Sequence, residues 1–488
     1  MKKILMITLI ASLAIFSSCK KDEDKTYKSP QVTAPATQDV EAGAAVDMEF
    51  PYTSEAGFKS STVSATNGTA TIKTDGTADA KSGTIVVTFT ASSNAGAGAV
   101  VLTVTDKESQ TGNATAVLNV VLEQMTFYVS SNITANTTWE TGKVYILQSR
   151  IAVVANVTLT IEPGVVVKGE AGAGSNATAL LIARGGKIMA EGTADQPIIF
   201  TSVADELMPG QIVSPNLSPE VNGLWGGVLI LGKARISASN DNGDVSEVQI
   251  EGIPTSDPNG LYGGNDDNDN SGVFKYVSIR HGGTNIGSGN EINGLSLGGV
   301  GSGTVIENVE IVANQDDGVE WYGGTVNVKN LIVWNVGDDG IDTDQSWSGT
   351  VDNFIVYTVT GHNFELDGPE GTYAAGHNIQ NGTVVASGLD SDGVLRVSED
   401  LINVDNNSIV NLKNIFITAI QAGQKINRVT AAGVTFEGIE LDVTVDALPG
   451  HVNGAVPAGV TAGGTSKADA SKFTGWTWLD ADGKLAGL

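Results

Sequence analysis

The chain has 488 residues, with 27 Lys and Arg against 55 Asp and Glu, a formal charge of −28. That acidity argues against nucleic acid and anionic headgroups as partners, since both require clustered cations. A hydrophobic share of 41% supports a sizeable core, 60 glycines point to many turns, and one cysteine excludes a disulfide framework, a redox pair and a thiolate zinc site.

Lys2 and Lys3 precede an apolar run from Ile4 to Phe16 that is too short to span a bilayer. Residues 1–18 therefore read as a secretory signal. Phe16-Ser17-Ser18-Cys19 resembles a bacterial lipobox, although Phe16 replaces the usual Leu. The resemblance implies that Cys19 becomes the lipidated first residue, an anchor that needs no transmembrane helix. A tether over 19–30 follows. Its Lys20-Lys21-Asp22-Glu23-Asp24 resembles the acidic export signal of Bacteroidota lipoproteins, which implies an outer-membrane protein facing the cell exterior. A generic charged tether is the alternative.

From 31 to 123 short alternating strands predict a β-sandwich, immunoglobulin-like in its strand number and length. Thr84–Thr90, Ala99–Val104 and Ala116–Val121 are three of them, and Thr66-Asn67-Gly68 is a turn. With no His and no acidic cluster, this domain reads as a spacer.

From 124 to 465 the sequence repeats. Asn308-Val309-Glu310-Ile311 recurs at Asn330, Asn353 and Asn414, with first steps of 22 and 23 residues and room for another coil in the last interval. Such a period suits one coil of a parallel β-helix, in which stacked neighbours bury what a single coil cannot. The recurrent Asn predicts a hydrogen-bonded ladder. A second register aligns Gly294-Leu295-Ser296, Gly318-Val319-Glu320, Gly340-Ile341-Asp342 and Asn363-Phe364-Glu365. Period two turns Leu295, Val319, Ile341 and Phe364 inward and Ser296, Glu320, Asp342 and Glu365 outward. Residues 466–488 are expected to form a C-terminal cap.

The segments Leu159–Gly169, Ala190–Ala194, Pro197–Thr201, Trp225–Gly232 and Phe473–Trp478 resemble the pectin-lyase-like β-helix lipoproteins of Bacteroidota. The expected fold is thus all-β: an immunoglobulin-like sandwich, then a right-handed parallel β-helix. Fold alone does not supply chemistry.

Coils stack roughly 4.8 Å apart. Glu320, Asp342 and Glu365 should form a carboxylate column, with Asp316-Asp317 over Asp338-Asp339 and Asp344 over Asp367. Like charges about 5 Å apart repel by roughly 3 kcal/mol at an effective dielectric near 20. Proton uptake or a bound cation, Ca²⁺ foremost, would relieve this; splayed side chains screened by salt are the alternative. Part of the face, Asn314-Gln315-Asp316, Gly337-Asp338-Asp339, Gly361-His362 and Arg396, resembles the ordered motifs of the polygalacturonases, which are inverting glycosidases. The resemblance implies Asp339 or Asp338 as general acid, with Asp316 and the other aspartate of that pair activating water. It also implies that His362 tunes the acid or binds sugar, and that Arg396, exposed between inward Leu395 and Val397, holds substrate. Asn363 and Ser398 depart from that pattern where the family has glycine and lysine.

Asp266, Asn268 and Asn270 space alternate oxygens as a calcium loop or a solvated turn would. Trp321 follows the inward phase, whereas Trp347 lies in a turn and is the candidate sugar platform. His281, His377 and His451 lack metal-ligand spacing. These features predict a cell-surface lipoprotein that binds an extracellular glycan for nutrient capture through Glu320, Asp342, Asp344, Glu365, Asp367 and Trp347, with Ca²⁺. An inverting glycoside hydrolase is the alternative. A structural accessory of an outer-membrane transporter, or an adhesin, is the third.

Overall fold

The computed structural model describes residues 25–285 and 292–488, so Cys19 and the export signal lie outside the described residues. Contacts divide the chain into two compact units at Gln124 and Met125. Among the described residues no helix is long and apolar enough to cross a membrane.

In the first unit, strands with alternating burial form two four-stranded sheets. One orders Gln31–Val32, Ala45–Thr53, Ser82–Ala91 and Gly68–Thr74; the other orders Gln38–Glu41, Thr111–Val121, Gly96–Asp106 and Phe58–Thr66. This reproduces the ABED and CFG arrangement of an immunoglobulin-like sandwich, with Gln38–Glu41 added in parallel to the second sheet. Phe50, Ile85, Val87, Phe89, Val100, Leu102 and Val104 fill the space between the sheets.

The second unit is a right-handed parallel β-helix. Its short strands stack into an eight-stranded sheet: Arg150–Val153, Ala179–Ile182, Val228–Leu231, Leu295–Gly298, Val319–Tyr322, Ile341–Asp344, Phe364–Leu366 and Asn403–Val404. Leu295, Val319, Ile341 and Phe364 are fully buried in the solenoid core, as period two requires. Most of the other strands join one large parallel sheet, and three short antiparallel pairs, such as Ala238–Asn240 with Gly243–Val245, stand apart from it. From Gly272–Arg280 to Gly433–Leu441 its strands are long, and each bends at an internal residue in the left-handed region. At Asn308, Asn330, Asn353, Asn381 and Asn414 φ lies between 53° and 62°. Asn tolerates that region better than other side chains with a Cβ. Its amide also closes a ladder: Asn330 donates to Asn308, Asn353 to Asn330 and Asn414 to Asn381, each at 2.8 Å. Asn381 marks the coil hidden in the long interval before Asn414.

Residues 466–488 return along the flank of the solenoid. Phe473, Trp476, Trp478 and Leu479 pack on Val312, Ile332, Trp334 and Ile355. Beneath them the fully buried Arg280 lies 3.5 Å from Glu310 and 4.9 Å over the Trp478 ring. Glu310 in turn accepts the Leu479 N–H at 3.0 Å. A buried charge pair needs such additional partners to offset desolvation.

Candidate functional site

The outward side of the eight-stranded sheet changes character along the solenoid. On the early coils it is apolar: Leu181, Leu229 and Leu231 meet Ile236, Ile250, Ile253 and Tyr262 of the insertion 232–271. On the later coils the same column is polar, and Ser296, Glu320, Asp342, Glu365 and Asn403 stand in continuous register. The ladder faces outward as alternation requires, but it is not a solvated face. Ser296, Glu320 and Asp342 are only 3%, 6% and 8% exposed.

The cover comes from distant segments. Tyr322, whose ring lies 5.9 Å from that of Tyr262, donates its hydroxyl to Glu251 of the insertion at 3.3 Å. Asn293 donates its amide to Glu320. Gln345 accepts from the Tyr262 hydroxyl at 3.0 Å and donates to Glu370 at 3.2 Å. Glu251 and Glu370 thus add acid to a buried acidic cluster.

Burial, followed by neighbouring carboxylates, pushes Asp317, Glu320 and Asp342 well above the usual carboxylate range. Asp339 is pushed up to about 11 by burial and by a hydrogen bond in which it gives its proton to Glu365. Asp344 rises to about 6 and Asp367 to about 7, again through burial first.

The preceding turns form a second row. Asp317 Oδ1 accepts the Asp339 N–H at 2.8 Å, and Asp339 Oδ1 accepts the His362 N–H. Each aspartate thereby ties its turn to the next coil. Gly361 is required here, because a Cβ would meet Oδ1 of Asp338 and Asp339 at 2.3 Å. Two carboxylate triads have oxygens within 4.8 Å of one another: Asp316, Asp317 and Asp338 toward solvent, and Asp317, Glu320 and Asp342 inside. Either could hold a metal ion, and Asp317 belongs to both.

Asp338 is exposed, while Asp316, His362 and Arg396 are half-buried. His362 accepts from the Asn403 amide at Nε2, 3.1 Å, which places its ring proton on Nδ1, 3.9 Å from Asp400. Arg396 is not on a coil strand. It sits on an antiparallel hairpin, Ser387–Leu389 with Leu395–Val397, and donates to Thr360 at 2.8 Å. Leu395 is therefore half exposed instead of inward, because a hairpin outside the solenoid has no core face to fill.

A further expectation is corrected. Trp347 is 1% exposed, stacked on Trp321 at 4.8 Å and against His377 at 5.0 Å, so it is core and offers no platform. Its turn folds inward because residues 345 and 346 both adopt positive φ. Asp266, Asn268 and Asn270 serve the loop itself, as the solvated-turn alternative has it. Asp266 and Asn270 accept the N–H two residues on, from Asn268 at 3.2 Å and Gly272 at 2.8 Å, and Ser302 caps Asn268 at 3.3 Å. These are turn bonds. Asp267, between them, pairs with Arg235.

Several site residues escaped the repeat. Asn403 continues the ladder only after a 38-residue interval, and Glu251, Asn293 and Glu370 lie in segments without period.

A pectate-lyase-like beta-helix domain model matches residues 131–476, and the chain belongs to that family. No curated protein matches it. Among solved structures, the chain is similar to the catalytic unit of the thermostable GH87 α-1,3-glucanase from Streptomyces thermodiastaticus at 13% identity. That match covers 92% of this chain and 97% of the other, with a TM-score of 0.30. A family 28 exopolygalacturonase of Yersinia enterocolitica matches at 11% identity, over 90% and 100% of the two chains, with a TM-score of 0.20.

Proposed function

We propose that the protein is a surface lipoprotein that captures an extracellular glycan at its acidic flank, with Ca²⁺ held by the carboxylates. The observation that carries this reading is the convergence of Asp317, Glu320 and Asp342, all buried, with oxygens within 4.8 Å of one another. Such a cluster is stable only if protons or a cation neutralise it. Hard oxygen donors select a hard cation, and Ca²⁺ takes 6–8 oxygens, more than either triad provides. At the outer triad the remaining positions would fall to water or to vicinal hydroxyls of a sugar. The polygalacturonase-like order of motifs and the pectate-lyase-like family favour a polysaccharide over other hydroxylated ligands.

Binding to immobilised polysaccharides, with and without chelator, tests this reading. Saturable binding that chelator abolishes and calcium restores is expected. Binding to no polysaccharide in calcium would sink the proposal. Anchorage rests on Cys19, so Cys19→Ser should move the protein from the membrane to the soluble fraction; retention in the membrane would contradict the anchor.

The inverting-hydrolase reading draws on one observation: exposed Asp338 and half-buried Asp316 converge at their turns, and the hairpin-borne Arg396 reaches Thr360, two residues before His362. Against it, oxygens of Asp316, Asp317 and Asp338 lie within 4.8 Å, whereas an inverting pair stands about 6.5–9.5 Å apart to admit water. Asp339 is tied to both its neighbours. Release of inverted-anomer sugar would promote this alternative.

A further inference from the structure

Beside the acidic flank, two insertions from different coils interlock and line an open cavity of about 370 Å³. One is the stretch after Leu231, the other the stretch after Leu366. Ser237 accepts the Glu370 N–H at its carbonyl, 3.2 Å, and the Gly371 N–H at its hydroxyl, 3.1 Å. Ser239 donates to the Glu370 carbonyl at 2.8 Å. Asp244 accepts both the N–H and the hydroxyl of Thr372. These bonds fix the walls before any ligand arrives, the condition under which binding loses least ordering entropy.

The lining combines three chemistries. Ile236, Ala238 and Val245 supply an apolar floor. Tyr373 borders the cavity, with the Arg235 guanidinium 4.9 Å from its ring centroid. Asp267 holds that guanidinium in place, accepting from Nε at 2.8 Å. Asp244 and Asn265 supply polar edges at the rim. A carboxylate has about four lone-pair sites, so Asp244 retains acceptors beyond those that Thr372 uses. The volume lies within the ~300–1,000 Å³ of small-molecule pockets, and an apolar lining with a few placed polar groups is their usual composition.

We propose that this cavity is a subsite for a neutral sugar ring, stacked at Tyr373 and hydrogen-bonded at the rim by Asp244 and Asn265. Charge selects against acidic sugars: Asp267 neutralises Arg235, Asp244 adds a negative charge, and the whole chain carries −28. A uronate would enter a field of its own sign. An aromatic face with planar polar groups at its edge matches a sugar's apolar C–H face and equatorial hydroxyls. The inference deepens the glycan-capture reading and rests on it.

The test uses neutral gluco-, xylo- and manno-oligosaccharides and oligogalacturonate as probes, titrated in calcium by calorimetry. Wild type should bind at least one neutral series. Tyr373→Ala should weaken that binding roughly tenfold, the effect of losing one stacking contact. Val245→Trp, which fills the cavity, should weaken it as much or more. Near-ultraviolet dichroism verifies that each variant keeps its packed tryptophans. If a neutral series binds and both folded variants retain affinity within about twofold, the subsite is overturned while glycan capture stands. Binding of oligogalacturonate alone also overturns it. If wild type binds no probe of either kind, glycan capture and the subsite fall together.

Discussion

Asp339 sits where two demands meet. Its Oδ1 accepts the His362 N–H and its proton goes to Glu365, so it acts as an acceptor on one side and a donor on the other. A side-chain amide offers the same pair of functions. Asp339→Asn should therefore leave stability within about 0.5 kcal/mol of wild type or raise it, read from the urea midpoint. A loss above about 2 kcal/mol would show that the carboxylate is needed as such. The pH dependence has a definite sign. Folded Asp339 keeps its proton to about 11, whereas an unfolded aspartate loses it near about 3.9. Between those values the unfolded chain binds fewer protons, so stability falls as pH rises. Asp344 and Asp367, at about 6 and about 7, add to the same decline over its lower part. In chelator the urea midpoint should drop between about pH 4 and pH 7, less steeply in Asp339→Asn. A midpoint that rises over that range would contradict the buried-acid account.

The coil is the unit at which the chain was most legible. A 22- or 23-residue step made the inward column and the Asn ladder readable, because stacking forces identical environments on equivalent positions. The bend at Asn330 needs both a left-handed φ of 57° and an amide between Asn308 and Asn353. Asn330→Val should cost about 2–4 kcal/mol, from steric strain plus orphaned amide partners. Asn330→Gly, which keeps the backbone relaxed, should cost clearly less. Equal losses in the two variants, measured by urea unfolding, would remove the conformational part of this argument. Illegible were the pieces that obey no period. The insertion bearing Glu251 and Tyr262 covers the ladder, and nothing in its composition tells which face it will lie on. Trp347 was illegible for a related reason: turns usually lie at the surface, but this one folds its indole against Trp321. Arg396 escapes alternation because its hairpin leaves the solenoid. Register places the carboxylates themselves, while their burial depends on segments that register does not constrain.

Across the whole chain the charge of −28 is unevenly managed. Most ion pairs are at partly exposed positions, where each contributes little. Arg280 and Glu310 neutralise one another under the C-terminal segment, yet Asp317, Glu320 and Asp342 are surrounded by further carboxylates, Asp316, Asp344 and Glu365 among them. Protons and a divalent cation are the two ways to settle that cluster, and only the second makes stability depend on calcium. The most direct measurement is calorimetric titration of Ca²⁺ into chelator-stripped protein at neutral pH, paired with the melting temperature in calcium and in chelator. A cation held by the folded state alone stabilises it by linkage, about 2.7 kcal/mol at a hundredfold excess over Kd. The account predicts saturable binding, a higher melting temperature in calcium, and loss of both in Asp317→Asn, the residue common to the two triads. No binding heat at millimolar Ca²⁺, with a melting temperature indifferent to chelator, would contradict it and leave the cluster to protons.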